Sequence, residues 1–139
     1  MPAITHDDLN EIVRDSLPWV ADMGLAVEEI GDGTCRVRLP FDAGHLRPGG
    51  IIAGPMMVAL ASYASYVAVL SAVGRVEMAV AVNLNCNFLK RAQPADLLAE
   101  AQVVSRSKRL AYAETKLFSA GAEAAGPVAH ITATFSIPA

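Results

Sequence analysis

The sequence predicts an α+β domain in which one long apolar helix is wrapped by a curved antiparallel sheet. Three observations carry that prediction. Residues 54–74 form an uncharged run of mainly helix-forming residues, with Pro55 suited to a first helical turn and Gly74 to a stop. After residue 75 the apolar residues recur with period two rather than 3.6. The strands come in runs instead of alternating with helices, which favours an antiparallel sheet with helix on one face. A length of 139 residues suits one domain, 1–139, with one core.

The elements follow in order. Thr5 is a plausible N-cap with Asp8 in capping-box position, so residues 6–16 read as a short helix that Pro18 stops. Residues 24–30 and 34–40 read as strands joined by a tight turn at Gly31-Asp32-Gly33. Residues 42–50, rich in Gly and Pro, read as a loop into the long helix. In 76–89 the pattern puts Val80, Val82, Leu84, Cys86 and Phe88 on one face and Asn83, Asn85 and Asn87 on the other. Residues 97–106, 109–118 and 127–137 complete the strands.

Composition narrows the function classes. Hydrophobic residues make up 53% and charged residues 18%, too apolar for disorder. The net charge of −3 disfavours nucleic acid as a partner. No charge lies between Arg47 and Arg75, and the helix there has no polar stripe. Such a helix is either fully buried or spans a membrane. Five Ser and Tyr residues interrupt it and no basic cluster or aromatic belt flanks it, so burial is preferred and no membrane partner is expected. A single sheet can cover such a helix only by curling round it. The remaining side then calls for a second copy, so a homo-oligomer is expected. Cys35 and Cys86 form no metal or redox motif, and the three histidines make no ligand pattern; no metal or cofactor is expected. The acidic N-terminus lacks a signal pattern, which points to the cytoplasm.

Several segments carry a family likeness: Pro48-Gly49-Gly50-Ile51-Ile52-Ala53-Gly54 leading into Ala59-Leu60-Ala61, the run Asn83 to Lys90, the strand Leu98 to Val104, Arg106-Ser107-Lys108-Arg109-Leu110-Ala111, and the closing Val128 to Phe135. In this order and spacing the chain resembles hotdog-fold acyl-CoA thioesterases of the phenylacetate-degradation, PaaI-like type. The resemblance covers roughly residues 20–137. It implies a thioester hydrolase acting on a medium-chain or aromatic acyl-CoA, assembled as a dimer or a dimer of dimers. The family's usual helix entry resembles His-Gly-Gly, with an acidic residue seven positions after the second Gly. Here Ala53, Gly54, Pro55 and Ser62 stand at those positions. The histidine, the second glycine N–H and the carboxylate are therefore all replaced. This opens the alternative of a non-catalytic acyl-CoA or acyl-ligand binder.

Thioester hydrolysis needs a polarised carbonyl, an aimed water and a held CoA tail. In this fold, polarisation is implied to come from amides at the start of the central helix, which lack intrahelical partners and sit at the positive end of its dipole. With Pro55 silent, Gly54, Met56 and Met57 are the candidates. Ser62 either lines the site and holds a water or bonds its own helix backbone. His45, just before the glycine-rich loop, is a further catalytic candidate or a solvated loop histidine. Gly50 serves either ligand approach or turn geometry. Met57 and Tyr63 line an acyl pocket or belong to the core. Asn83, Asn85 and Asn87 suit a groove or a subunit interface. Lys90, Arg91, Arg106, Lys108 and Arg109 read as a cluster at neighbouring strand ends. They would pair with the phosphates of CoA, or simply guard turns.

Overall fold

The computed structural model describes residues 1–138. Its core element is helix α3 (Gly54–Val73), laid across an antiparallel sheet. The chain enters through α1 (His6–Ser16), whose capping box is formed: Thr5 N–H donates to Asp8 Oδ2 at 2.9 Å and Asp8 N–H to Thr5 Oγ1 at 3.1 Å. Pro18 does more than stop α1. It occupies the first turn of a second helix, α2 (Pro18–Met23), where its missing N–H does no harm. That helix was absent from the sequence expectation. It closes on Gly24, whose φ of 72° is the left-handed cap that glycine tolerates.

Strands β1 (Ala26–Gly31) and β2 (Thr34–Leu39) form the expected hairpin. The loop expected over 42–50 is partly ordered. A 3-10 turn at Ala43–His45 leads into a two-residue hairpin, β3 (Leu46–Arg47) with β4 (Ile51–Ile52). After α3 come β5 (Val80–Phe88), β6 (Leu97–Arg106), β7 (Leu110–Ser119) and β8 (Ala129–Ser136). The sheet order is β1-β2-β6-β7-β8-β5, antiparallel throughout, with β1 and β5 at its edges.

The inner face is largely small residues, among them Ala99, Ala101, Ala111, Ala113, Ala129 and Ala133, all buried. Short side chains let α3 approach the sheet closely, and Leu60, Val67 and Leu70 fill the space between them with no exposed surface. Two buried serines anchor the helix. Ser65 Oγ donates to Ala61 O and shares a hydrogen bond with Thr115 Oγ1 at 2.9 Å; Ser71 Oγ accepts from Gly33 N–H at 3.0 Å.

Two expectations are corrected. First, Val80 and Val82 do not share the inner face. A bulge between Ala81 and Asn83 turns the strand start, leaving these valines 57% and 60% exposed. Second, the side of α3 away from the sheet is not bare in a single copy. Ile4, Leu9, Ile12 and Val20 join its core, and Trp19 packs edge-on against Tyr63. What stays partly open on α3 is a stripe through Pro55, Val58, Ala59 and Ser62.

Candidate active site

The N-terminal turn of α3 is held where two grooves meet. The β3–β4 hairpin turns through Gly49 and Gly50, at φ of 100° and 71°, which glycine alone adopts readily. Gly50 therefore serves the turn, and it lines neither groove. Ala53 N–H donates to His45 O at 2.9 Å and Ile52 N–H to Ala92 O at 2.8 Å, so the hairpin is tied to the segment that follows β5. These bonds bring Gly54, Phe88 and the basic segment Lys90-Arg91 together.

The first groove is apolar, about 660 Å³, and runs along the open stripe of α3 between Trp19 and Phe88, with Ser62 in its wall. The second, about 460 Å³, lies between the β3–β4 hairpin and residues 88–92; Met57 forms part of its wall, and Arg47, Lys90 and Arg91 supply its charge. Gly54 and Phe88 line both. Lys90 Nζ also donates to Ala125 O, which fixes the lysine beside this groove.

The helix amides differ in availability. Met56 N–H already donates to Ala53 O at 3.0 Å, which removes it as a free donor. Gly54 N–H has no hydrogen-bond partner among the described residues. It sits at the helix terminus, where aligned peptide dipoles favour negative charge. The serines differ in the same way. Ser65 and Ser71 are buried and bonded, whereas Ser62 Oγ has no partner among the described residues and faces the apolar groove.

Other candidates fall elsewhere. The ring of His45 lines neither groove. Tyr63 is buried and borders a cleft against α1 with His6 and Leu9; burial pushes its hydroxyl well above its ordinary pKa. Asn83, Asn85 and Asn87 lie exposed on edge strand β5, with Asn85 Nδ2 donating to Asn83 Oδ1 at 3.0 Å. The basic residues do not form one cluster. Phe88 pairs with Ala129 and Leu117 with the same alanine, whereas Arg106 pairs with Ala111, and Leu110 and Val80 both pair with Ser136. Lys90 and Arg91 thus stand at one end of the sheet. Arg106, Lys108 and Arg109 stand at the other, roughly 25 Å away along the strands. The strand count already contained this correction, because β5 and β6 must run in opposite directions for the sheet to close.

Among the groove residues that were not site candidates from the sequence are Trp19, Arg47, Val58 and Phe88. Trp19 is the only tryptophan, on a helix that was not foreseen. Arg47 precedes the Pro-Gly-Gly turn and is carried back to the helix entry by the hairpin. Two further ionisable side chains are engaged away from the grooves. Cys35 donates its S–H to Ala64 O, and burial pushes its thiol up to about 12. His130 pairs with Glu114 on the outer sheet face at 2.8 Å, which holds the Glu114 carboxyl below its usual range.

Comparison with known proteins bears on the family and the fold. The model of the thioesterase superfamily matches residues 49–138. A provisionally named thioesterase from Silicibacter sp. is 33% identical, with a TM-score of 0.84 over all of this chain and 95% of that one. A mutant of the phenylacetic acid degradation protein PaaI of Thermus thermophilus is 27% identical, with a TM-score of 0.77 over 87% of this chain and 99% of its own. A provisionally named esterase of Sulfurisphaera tokodaii is 28% identical over 86% of this chain and 89% of its own length. The long buried helix, the six-stranded antiparallel wrap and the matched segment make this chain a hotdog-fold member of the thioesterase superfamily.

Proposed function

We propose that this protein hydrolyses a medium-chain or aromatic acyl-CoA to the free acid and CoA. The observation that carries the reading is the unpartnered Gly54 N–H, placed where an apolar groove meets a basic one. The acyl group lies along Trp19, Val58 and Ala59, and the phosphates of CoA lie toward Arg47, Lys90 and Arg91. Between them the thioester oxygen accepts from Gly54 N–H. A water oxygen bonds to the carbonyl carbon, the developing oxyanion is stabilised by that N–H, and the C–S bond breaks. The proton given up by the water ends on the CoA sulfur. A donor aimed at such an oxyanion is worth about 3–4 kcal/mol. Ser62 stands about 12 Å further along the same helix, so within one copy its hydroxyl does not reach a water at that carbonyl, and with no side-chain base beside the thioester turnover is modest.

The second reading, an acyl-CoA binder, is favoured by one observation: no carboxylate lines either groove. One experiment separates the two. The purified protein is incubated with a panel of acyl-CoAs, and free thiol and binding are followed together. Thiol release above background supports the hydrolase, and binding without release supports the binder. Ser62→Asp puts a carboxylate into the wall of the apolar groove and is expected to raise turnover about tenfold or more if a base is limiting.

The active form is a homo-oligomer in this reading. Strand β5 has nine residues and an unpaired edge, and exposed Val80 and Val82 lie on it. A second copy pairing there across a two-fold axis satisfies its free N–H and C=O groups.

A further inference from the structure

Phe88 is a large aromatic residue left 53% exposed at the end of an edge strand, yet its position is not loose. The ring packs directly on the backbone of Gly54. A Cβ on that residue would come within 3.2 Å of Phe88 Cζ and 3.5 Å of Cε1, so the bare glycine lets the ring sit a few tenths of an ångström closer than a side chain would. Gly54 has no positive φ, so the close approach of the ring, not backbone conformation, is what the missing side chain favours here. The same ring lines both grooves. It therefore stands as a partition beside Gly54 N–H, which has no hydrogen-bond partner among the described residues.

We infer that Phe88 is a specificity-determining residue that selects acyl groups by their bulk at the α-carbon rather than by their length. The inference rests on the thioesterase reading and extends it. If Gly54 N–H holds the thioester oxygen at hydrogen-bond distance, the carbonyl carbon and its two substituents lie within van der Waals reach of a ring packed on that glycine. One substituent is sulfur, directed to the basic groove. The other is the α-carbon, entering the apolar groove beside the ring. A methyl branch there meets Phe88 at once. The far end of the chain lies along Val58 and Ala59, away from the ring, where the groove is open. Substrates with an unbranched α-carbon are accepted, and α-methyl-branched ones are rejected.

The test compares matched pairs of straight-chain and 2-methyl acyl-CoAs at several chain lengths, in wild type, Phe88→Ala and Phe88→Leu, with melting temperatures to establish folding. In wild type the straight-chain member of each pair is preferred in kcat/KM. In Phe88→Ala the branched-to-straight ratio rises about tenfold or more, the range that one methyl group commands in a close-fitting pocket. Phe88→Leu gives an intermediate ratio, and the dependence on chain length is unchanged in both variants. Folded variants that hydrolyse straight chains with the wild-type ratio overturn the assignment while leaving the thioesterase reading intact. A wild type that neither binds nor hydrolyses any member of the panel overturns both.

Discussion

The two edges of the sheet are built differently. Strand β1 is short, six residues, carries a bulge between Val27 and Glu29, and presents Glu28, which is ion-paired with Arg36 and Arg38. Arg38 reaches on to Asp96 at 3.0 Å, and Asp96 accepts from Phe41 N–H at 2.7 Å. Short length and charge are devices that keep an edge from recruiting another strand, and they are what sets β1 apart, because β5 carries a bulge as well. Strand β5 has nine residues, none of them charged, with Val80 and Val82 in the open. Both edges have unpaired backbone, but only β1 is guarded. For the homo-oligomer proposed above, the contrast favours β5 as the contact over the apolar surface of α3, part of which α1 and α2 already meet around Tyr63.

The largest expected effect comes from charging the unguarded edge. Across a two-fold axis, Val82→Lys sets like charges near each other and is expected to weaken association by about 3 kcal/mol, roughly a hundredfold in Kd. Sedimentation should show smaller particles, while Ala26→Lys on β1 leaves the mass unchanged. An unaltered mass for Val82→Lys would remove β5 as the contact. Next in size is the network that guards β1. Asp96→Ala is expected to lower stability by about 1–2 kcal/mol in urea at neutral pH, since it removes the acceptor of Phe41 N–H and one partner of Arg38. The Phe41 N–H, and then Arg38, hold this carboxyl below its ordinary value of 3.8. Its contribution is therefore present above pH 4 and lost as pH falls through the lower, folded value, so the gap between variant and wild type should close in acid. A gap that persists there would mean the charge is not what stabilises. The smallest effect is at the asparagine row: Asn85→Ala should change the stability of the protomer by no more than about 0.5 kcal/mol, because the Asn85–Asn83 bond is exposed.

Much of the architecture was legible. The bounds of α3 follow from Pro55, Gly74 and the uncharged run between them, and the β1–β2 hairpin from its glycine turn. What stayed hidden has physical causes. A proline after a helix reads as a terminator whether or not it also opens the next one, so α2 was missed. One inserted residue at a bulge reverses which side chains face the core, and alternation alone cannot reveal it at Val80 and Val82. The candidate site was legible in part: Gly54, Met57, Lys90 and Arg91 line one groove and Gly54 and Ser62 the other; Met57 and Ser62 follow Gly54 on one helix, whereas Lys90 and Arg91 are drawn there by the bond from Ile52 N–H to Ala92 O. Trp19 and Phe88 reach it from distant elements. Arg106, Lys108 and Arg109 are brought near Lys90 by no element of the single chain, because consecutive strands deliver their ends to opposite sides.

A rod that is apolar on every side gives solvent aversion no preferred azimuth; turning it about its own axis exchanges one oily face for another. The hydroxyls of Ser65 and Ser71 break that degeneracy, because each finds its mate, Thr115 Oγ1 or Gly33 N–H, at one rotation only. Fixing the angle at those two pegs also fixes the bearing of Ser62, less than one turn from Ser65. The aim of the only unbonded hydroxyl among these three is thus set by two hydroxyls that never meet solvent.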